Sequence, residues 1–416
     1  MKIAVVGTGV SGLVCAHLLR RAHDVTVFEA DARIGGHVHT VDVRLGGERF
    51  AVDTGFIVYN ERTYPGLTKL FAQIGVATQP SDMSFGVACE RSGVEWGSRS
   101  LGALLADPRN LCRPSFLRML RDLRRFFRDA PRLLERDDPK LALGDWLCGA
   151  GYSREFVDLF LVPMGAAIWS AAPGDFLRFP AQSFVRFFAN HGLLGLRDPV
   201  EWRVVQGGSR SYVEKLAAPF RDRIRTRCPL VAVRREGGGV SVVAAGGVHR
   251  FDRVVLACHS DQALALLDGA SAAERQVLGA IRYQENEALL HTDASVMPRR
   301  RRAWASWNYR VPPRDAAAGE RVFVSYHMNR LQNLRAPEDV FVTLNAQGRV
   351  DPARVLGRFV YHHPVFDADA IAAQRSHGAI DGAGGVHFAG AYWGWGFHED
   401  GVRSACAVAR RFGIEL

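Results

Sequence analysis

Short apolar runs and helix-length apolar segments follow one another along the chain, and their order predicts a mixed α/β fold. The runs IAVV at 3–6 and VTVF at 25–28 have the continuous apolar character of buried parallel strands. A helix-length apolar segment separates them. Strand, helix and strand in this order predict a βαβ unit with a parallel sheet at the beginning of the chain.

Later segments repeat this pattern and predict that the sheet is built from separate parts of the chain. We expect a helix at 209–218, a strand within 252–258, and a strand, a glycine-rich turn and a closing helix at the end of the chain. The segment 82–200 is mainly helical, and 286–382 is richer in strand signals. The prediction is therefore a discontinuous domain with an inserted α+β substrate domain, divided as 1–81, 201–285 and 383–416 for the first and 82–200 and 286–382 for the second.

The first candidate site is a glycine turn between the first strand and the helix after it. Gly7, Gly9 and Gly12 form a Gly-x-Gly-x-x-Gly pattern, and Glu29 follows the next strand. Such glycines allow a tight turn, close approach of a pyrophosphate and close packing of helix on strand, while the acidic residue accepts hydrogen bonds from a ribose. The pattern predicts a dinucleotide site and does not by itself separate NAD from FAD.

A second glycine turn, with Arg33, Gly35 and Gly36, follows the acidic residue. Backbone in this position is expected to lie along the ribityl and pyrophosphate groups of a flavin. The combination is typical of flavoenzymes that hold the whole cofactor extended, and the chain resembles the superfamily of amine oxidases and carotenoid desaturases. The resemblance implies bound FAD and a Rossmann-like FAD-binding domain of the amine oxidase, glutathione-reductase-like type.

The glycine-rich turn near the C-terminus is the next candidate. A strand ending at 388–390 and a helix beginning at about Glu399 are expected to bring backbone amides and a helix N-terminus near the flavin, where the helix dipole stabilises negative charge. Tyr392, Trp393 and Trp395 stand between glycines in this turn. At least one of them is expected to pack on the flavin ring or to line an apolar substrate channel. Core packing is the alternative.

Three residues are candidates for catalysis, namely His37, Tyr59 and His398. His37 stands where amine oxidases normally carry an arginine after the second glycine turn, and this departure weakens the case for amine oxidation. It is expected either at the flavin phosphate or reaction face, or behind them as a neutral donor. His398 suits proton transfer or a structural hydrogen bond, Tyr59 either orients substrate or ends a strand, and Glu399 beside His398 also suits helix capping.

The net charge of +10 comes partly from two arginine-rich segments. Nine arginines lie between Arg109 and Arg136, where apolar side chains repeat at helical spacing at Phe116, Leu120, Leu123 and Phe127. Such a helix either lies on anionic lipid headgroups or packs its stripe on the protein core. A second cluster at 299–302 is a solvated turn or a second headgroup contact. Nucleic acid is not expected as a partner, because neither segment is interleaved with aromatic residues in a known module.

Cysteine and histidine spacing predicts no metal site and no disulfide framework. The seven cysteines include no Cys-x-x-Cys pair and are expected to be buried packing residues. His362 and His363 are neighbours on an extended segment, so they should face opposite sides. No apolar run reaches the roughly 20 residues of a membrane span. Because a strand begins at Lys2, we expect no secretory leader and a cytoplasmic protein, soluble or peripheral on the inner membrane face.

Seven short motifs in order extend the resemblance over essentially the whole chain: RIGGHVHTV, VDTGFIVYN, PMGAAIWS, VQGGSRSYVEKL, SYHMNRLQ, YHHPVFD and AYWGWGFHEDGVRSA. They resemble one bacterial family of FAD/NAD-binding oxidoreductases within the amine oxidase and phytoene desaturase superfamily. Members are associated with enzymes that modify phospholipid acyl chains, and one branch is linked to desaturation of methylated chains on the way to furan fatty acids. The resemblance implies FAD-dependent dehydrogenation of a methyl-branched acyl chain by hydride transfer to flavin N5, with a methyltransferase or a redox protein as partner.

Candidate roles follow residue by residue. Cofactor contacts are expected from Gly7, Gly9, Gly12, Glu29, Ala30, Arg33, Gly35, Gly36, His37, Val233, Gly390, Trp395, His398, Glu399 and Val402. Substrate contacts are expected from Trp169, Tyr392 and Trp393, and no residue is expected to bind a metal. Two other functions stay open: an amine oxidase or polyene desaturase or isomerase, and a flavin-containing, lipid-binding partner of an acyl-chain methyltransferase.

Overall fold

The computed structural model describes residues 1–135, 138–195, 200–313 and 321–416. Its strands are β1 (Lys2–Val6), β2 (Asp24–Phe28), β3 (Thr40–Leu45), β4 (Glu48–Asp53), β5 (Val58–Asn60), β6 (Thr78–Pro80), β7 (Phe85–Cys89), β8 (Glu95–Gly97), β9 (Trp202–Val205), β10 (Ile224–Arg225), β11 (Leu230–Glu236), β12 (Gly239–Ala244), β13 (Gly247–Phe251), β14 (Arg253–Leu256), β15 (Arg282–His291), β16 (Trp307–Val311), β17 (Val324–His327), β18 (Phe341–Leu344), β19 (Val355–Val365) and β20 (Val386–Phe388). Its α-helices are α1 (Val10–Leu19), α2 (Pro65–Gln73), α3 (Leu101–Leu104), α4 (Pro114–Asp129), α5 (Leu143–Gly149), α6 (Arg154–Phe156), α7 (Val162–Trp169), α8 (Pro173–Leu177), α9 (Ala181–Asn190), α10 (Arg210–Ala217), α11 (Ser260–Leu266), α12 (Ala272–Gly279), α13 (Met328–Leu331), α14 (Ala368–Arg375), α15 (His377–Ile380) and α16 (His398–Arg410).

A parallel sheet in the order β10-β2-β1-β14-β20 carries the first glycine turn. β1 lies in its middle, with Val5 paired to Val27 of β2 and to Val255 of β14. These strands are continuously apolar because both faces of the sheet are covered, and α1 packs between the sheet and the neighbouring helices α10 and α16. The predicted α/β fold class and its βαβ unit are therefore confirmed.

A second, mostly antiparallel sheet has the order β19-β15-β18-β17-β16-β7-β8. It joins the two inserted segments of the chain, because β16 pairs with β7 in parallel, with Trp307 opposite Phe85. The domain boundary predicted between 285 and 286 falls inside β15, and this part of the prediction was wrong. β15 pairs with β19 from Arg282 to His291, so the whole strand belongs to the second sheet. The rest of the predicted division stays a prediction.

Helix α4 contains most of the arginine-rich segment and packs on an apolar helical core. Its inner side carries Phe116, Met119 and Phe126, and the Phe126 ring lies 5.5 Å from the Phe156 ring. Phe116 of the predicted stripe is fully buried, and Leu120, Leu123 and Phe127 are half-buried and pack against the same core. Met119 and Phe126, which are fully buried, lie on a neighbouring line of the helix. Arg136, the end of the predicted segment, lies outside the described residues.

The cysteines do not share one environment. Cys15, Cys89 and Cys406 are buried, whereas Cys112 and Cys148 are exposed at the helical part of the molecule. The expectation of uniformly buried cysteines was therefore wrong, because Cys112 and Cys148 lie at the ends of short helical turns that face solvent. In the part of the chain that the structure describes, no helix is long and apolar enough to cross a membrane.

Replacing Phe126 by alanine is expected to lower the free energy of unfolding by about 3–5 kcal/mol, because the change removes a fully buried ring from the helical core. Leu117→Ala on the outer side of the same helix is the control, with an expected change within about 0.5 kcal/mol. Urea unfolding of both variants measures the difference. Equal losses of stability would contradict the orientation of α4.

Candidate active site

The middle glycine of the first glycine turn borders open space. A side chain on either of the other two glycines would overlap neighbouring backbone atoms.

 A Cβ atom on Gly12 would overlap the carbonyl oxygen of Gly7, and Gly7 itself has a φ of +100° that favours glycine. At Gly9 a Cβ would meet nothing within 4 Å. Helix α1 begins directly after Gly9, and no side chain caps its first turn, so its amides face this open space. The geometry suits a pyrophosphate, as the sequence predicts.

The second glycine turn lies against the first. A Cβ on Gly36 would be 3.0 Å from the Cα of Gly9, and Gly35 and Gly36 have φ values of +116° and +57°. The Arg33 guanidinium donates hydrogen bonds to the carbonyl oxygens of Gly36 and Val38, both at 2.8 Å. Arg33 therefore holds the shape of the second turn through its side chain.

Thr8 joins the two turns to the predicted ribose acceptor, and the sequence reasoning missed it. It is fully buried, its amide donates to Glu29 Oε2 at 3.0 Å, and its hydroxyl also bonds to this carboxylate. The Gly35 amide donates to the Thr8 carbonyl oxygen at 3.1 Å. Glu29 Oε1 also accepts from the Asp31 amide at 2.9 Å, beside Ala30, whose side chain is exposed. A carboxylate oriented in this way keeps lone pairs for a ribose. The donors, the acceptor and the open space over Gly9 thus fit FAD.

The aromatic turn before α16 is held by side chains from three other places in the fold. Asp400 Oδ2 accepts from the amides of Trp395 at 3.0 Å and Phe397 at 3.1 Å, and burial raises the pKa of Asp400 to about 6. The Trp169 indole donates to the carbonyl oxygen of Trp395 at 3.2 Å. Gln374 donates to the carbonyl oxygen of Tyr392 at 2.8 Å. Trp169 and Trp395 are therefore brought together as predicted partners of one site.

The other two aromatic residues of this turn point elsewhere. Tyr392 is buried against Gly390, where a Cβ would overlap its ring, so Gly390 is required by packing. Trp393 packs on the His377 ring, with centroids 4.2 Å apart. Trp393 thus packs on α15, and its predicted substrate contact stays a prediction.

His398 is buried at the start of α16. Its ring stacks on Phe56 with centroids 3.5 Å apart, and its Nε2 lies 3.0 Å from the Tyr212 hydroxyl. Burial lowers the pKa of His398 to about 3, and the proximity of His37 adds to this effect. The sequence leaves proton transfer and a structural hydrogen bond open for His398. A neutral ring bonded to a phenol favours the structural hydrogen bond.

Three histidine rings meet beside the second glycine turn, and they form what we call the histidine cluster: His37, His259 and His363. The His37 ring centroid lies 5.8 Å from that of His259 and 5.5 Å from that of His363. The Tyr361 ring adds a phenol 5.4 Å from His37. The sequence analysis identified only His37 of this cluster. It also predicted that His362 and His363 face opposite sides of their strand. In the structure His362 is exposed and His363 faces inward.

Hydrogen bonds define the tautomers of this cluster. His37 Nε2 lies 3.1 Å from the carbonyl oxygen of His362, which only accepts, so Nε2 carries the proton and Nδ1 is left as an acceptor. The Asn286 amide nitrogen lies 2.9 Å from His363 Nδ1, which therefore accepts. Burial lowers the pKa of His37 and of His259 to about 4 and that of His363 to about 3. All three rings are neutral near neutral pH.

Four predicted site residues have side chains that do not reach this site. Tyr59 is buried with its ring 5.3 Å from that of Phe71, in the core under α2, so its predicted catalytic role was wrong. The Glu399 carboxylate accepts from the amides of Gly66 and Leu67 at the start of α2, at 3.0 and 2.9 Å. Val402 packs on the same helix. The side chains of Glu399 and Val402 therefore position α2, and the predicted cofactor contact of these residues at the N-terminus of α16 stays a prediction.

Val233 is the fourth such residue. Its side chain is only 1% exposed, and its carbonyl oxygen accepts from the Asp268 amide at 2.9 Å. Val231 is 69% exposed on the same strand, so it is the valine that a cofactor could touch. The two face different environments because the register of β11 shifts between Leu230 and Ala232.

A model of the flavin-containing amine oxidoreductase family matches residues 10–288. The chain belongs to this family. The predicted superfamily, FAD as cofactor and flavin-dependent oxidoreductase chemistry are thereby confirmed, while the furan fatty acid branch stays a prediction.

Two kinds of known protein resemble the chain. AofH of Mycobacterium tuberculosis, which is named as a flavin-containing monoamine oxidase, is 25% identical over 269 residues, covering 62% of this chain and 56% of AofH. The match thus spans little more than half the length of that relative. Putrescine oxidase bound to putrescine is 16% identical with a TM-score of 0.70, covering 99% of each chain. A CLA-producing fatty acid isomerase from P. acnes is 16% identical with a TM-score of 0.69, covering 99% of this chain and 98% of the isomerase. These two structures share the fold.

Gly9→Ala is expected to weaken FAD binding, whereas Gly12→Ala is expected to destabilise the fold. Gly9→Ala should leave the unfolding temperature nearly unchanged but weaken FAD binding at least about tenfold, because its methyl group enters the space open to the pyrophosphate. Gly12→Ala should lower the unfolding temperature of the apoprotein, because its methyl group overlaps the Gly7 carbonyl oxygen. Apoprotein melting and fluorescence titration with FAD measure both quantities. Unchanged FAD affinity in Gly9→Ala would contradict this position for the pyrophosphate.

The histidine cluster predicts loss of stability in acid. Burial lowers the pKa of His363 from its ordinary value of 6.5 to about 3, so the unfolded chain binds a proton more readily than the folded one between these values. The stabilisation is complete above pH 6.5 and is lost as the pH falls towards 3. Urea unfolding of wild type and His363→Gln over this range should give a flatter curve for the variant. Parallel curves would show that His363 does not titrate in this way.

Proposed function

We propose that this flavin-dependent oxidoreductase dehydrogenates an apolar acyl chain, with a methyl-branched, unsaturated chain of a phospholipid as its substrate. The observation that carries the proposal is the neutral histidine cluster beside the second glycine turn. In the described part of the chain, no carboxylate forms a hydrogen bond or an ion pair with His37, His259 or His363. A methylene group gains from such uncharged walls, whereas an ammonium group gains from a carboxylate.

The electrostatic surroundings of the cluster point the same way. Besides burial, His259, His362 and Arg33 lower the pKa of His37. Of these groups Arg33 carries a positive charge near neutral pH, and it repels a cationic substrate.

A cavity of about 390 Å³ lies beside the aromatic turn, between the start of α2 and the end of α9. Its apolar walls include Tyr64, Trp395 and Phe397, and Arg62 and Arg403 supply positive charge. The Glu399 and Asp400 carboxylates also border it and are bonded to backbone amides. The volume lies within the usual range of about 300–1,000 Å³ for small-molecule sites. The Arg403 guanidinium lies 3.9 Å from the Asp400 carboxylate. The two arginines and two carboxylates therefore balance, and the aromatic walls are what suits an acyl chain.

The residues of the histidine cluster and their neighbours have separate roles in the proposed reaction. When bound, FAD supplies a two-electron acceptor for the carbon–hydrogen bond that is broken. The hydrogen on the adjacent carbon leaves as a proton, and His37 accepts it at Nδ1. This nitrogen is free because Nε2 makes the bond to the His362 carbonyl oxygen. Asn286 orients His363, and Asn286 is itself fully buried and bonded to Asn345 at 2.8 Å. Tyr361 and the aromatic turn exclude water from the reacting carbons.

Amine oxidation is the second candidate, favoured by the names of AofH and putrescine oxidase. The fatty acid isomerase of the same fold supports the acyl-chain proposal, because this fold accommodates chemistry on a fatty acid there. A flavin-containing, lipid-binding partner of a methyltransferase is the outcome if neither substrate class reduces the flavin. A methyltransferase or redox partner is part of the proposal in each case.

Anaerobic mixing of the FAD-loaded protein with substrate tests the proposal, with loss of the oxidised flavin absorbance as the signal. A phospholipid with methyl-branched octadecenoyl chains should reduce the flavin, and putrescine should not. His37→Gln should slow the reduction by roughly 10²–10⁴-fold, the usual contribution of a general base. His249→Gln on β13 is the matched control and should react like wild type. Reduction by putrescine but not by the lipid would overturn the proposal in favour of amine oxidation.

A further inference from the structure

The two arginine-rich segments, which are far apart in the sequence, lie side by side in the structure. The Glu95 carboxylate accepts from the backbone amides of Arg299 and Arg300, at 2.9 and 3.0 Å. Its carbonyl oxygen accepts from the Asn110 side chain at 2.9 Å. Because Glu95 lies between them, the loop at 299–302 and the turn that leads into α4 share one surface.

Asp107 joins the same two segments through ion pairs. Its carboxylate lies 3.1 Å from the Arg109 guanidinium, 3.5 Å from that of Arg113 and 3.3 Å from that of Arg300. The hydrogen bond from Arg109 is the main reason why the pKa of Asp107 is lowered to about 2. Three guanidinium groups therefore surround one carboxylate, and the surface keeps a positive excess at all physiological pH values.

Further arginines on this side have no acidic partner. Arg124 on α4 and Arg299 and Arg302 in the loop are exposed, and none forms an ion pair with an acid among residues 1–135, 138–195, 200–313 and 321–416. Arg121 is paired only with Asp122, and its side chain is 69% exposed. The charge of the surface is thus not balanced within the described chain.

Exposed leucines lie among these arginines. Leu101 is 79% exposed, Leu111 is 54% exposed and Leu117 is 46% exposed, on three successive short elements. Along α4, Leu117, Arg121 and Arg124 follow at spacings of four and three, so they share the outer side opposite Phe126. We name this surface the arginine–leucine face, defined by Leu101, Leu111, Leu117, Arg109, Arg113 and Arg300.

We propose that the arginine–leucine face binds the surface of an anionic lipid bilayer, with its leucines entering the headgroup boundary. Arginine charge attracts anionic headgroups, and exposed leucines gain free energy only where an apolar phase lies next to that charge. Binding of single-stranded nucleic acid uses stacking aromatic side chains, but the indoles of Trp96 and Trp304 beside this face are both buried. The proposal does not depend on which substrate the flavin oxidises.

Flotation of the FAD-loaded protein with vesicles tests this face. Phosphatidylcholine vesicles containing phosphatidylglycerol should carry the protein at low salt, and pure phosphatidylcholine vesicles or high salt should not. The double variant Leu111→Ser, Leu117→Ser should bind the anionic vesicles at least about tenfold more weakly, because two apolar side chains no longer enter the bilayer. The matched control Val248→Ser, Leu356→Ser changes two exposed apolar residues elsewhere and should bind like wild type.

Three results would overturn the proposal: no flotation of wild type with anionic vesicles, equal binding by both double variants, or tighter binding to duplex DNA than to anionic vesicles. Flavin absorbance and unfolding temperature confirm that both double variants are folded. Flavin reduction by a water-dispersed substrate should be the same in wild type and the leucine variant. Failure of flotation with normal reduction would thus separate this proposal from the proposed function.

Discussion

The contact between the two glycine turns is the constraint on which the rest of the site depends. Gly36 approaches Gly9 so closely that a methyl group on Gly36 would lie 3.0 Å from the Gly9 Cα. Thr8 maintains this approach, because it bonds to the Glu29 carboxylate on one side and accepts from the Gly35 amide on the other. A larger residue at position 36 would press on the Gly9 backbone and separate the turns. One short segment therefore places the helix dipole, the ribose acceptor and the second turn at a single cofactor position.

The same contact determines where the histidine cluster lies. His37 directly follows Gly36, and its carbonyl oxygen accepts from the Phe56 amide at 2.9 Å, so its backbone is held from both sides. The ring therefore lies against β19, where His37 Nε2 donates a hydrogen bond to the His362 carbonyl oxygen. Burial keeps the cluster uncharged because no carboxylate compensates a proton there, among the residues described. Neutral imidazoles at a flavin site are thus a consequence of how the second sheet covers the glycine turns.

Both glycine turns and the closing helix could be predicted, because each depends on residues close together in sequence. Thr8 escaped prediction because its importance comes from Glu29 and Gly35, and no periodic pattern marks it. Alternation along a strand predicts that one of His362 and His363 faces inward, but the pairing of β15 with β19 decides which one. His259 precedes α11, and only the tertiary fold brings it to His37. At β11, Val233 was predicted as a cofactor contact, but a register shift after Leu230 puts Val231 and Val233 in different environments. On α4 the apolar residues were numerous enough to suit two neighbouring stripes, and only packing against Phe156 selects one.

A buried carboxylate connects the cofactor half to the second sheet and explains why the histidine cluster stays in place. Asp53 lies fully buried, accepts from the Ser209 amide and hydroxyl at the start of α10, and accepts from Gln332 after α13 at 2.9 Å. The Thr40 hydroxyl is a further donor to it. Burial raises the pKa of Asp53 to about 6, against the effect of these donors, so the carboxylate is costly unless every one of them is present. Any movement of β4 relative to Gln332 would leave the charge unsatisfied. Because β4 is followed within a few residues by Phe56, whose amide donates to the His37 carbonyl oxygen, the network at Asp53 links the position of the second sheet to that of His37.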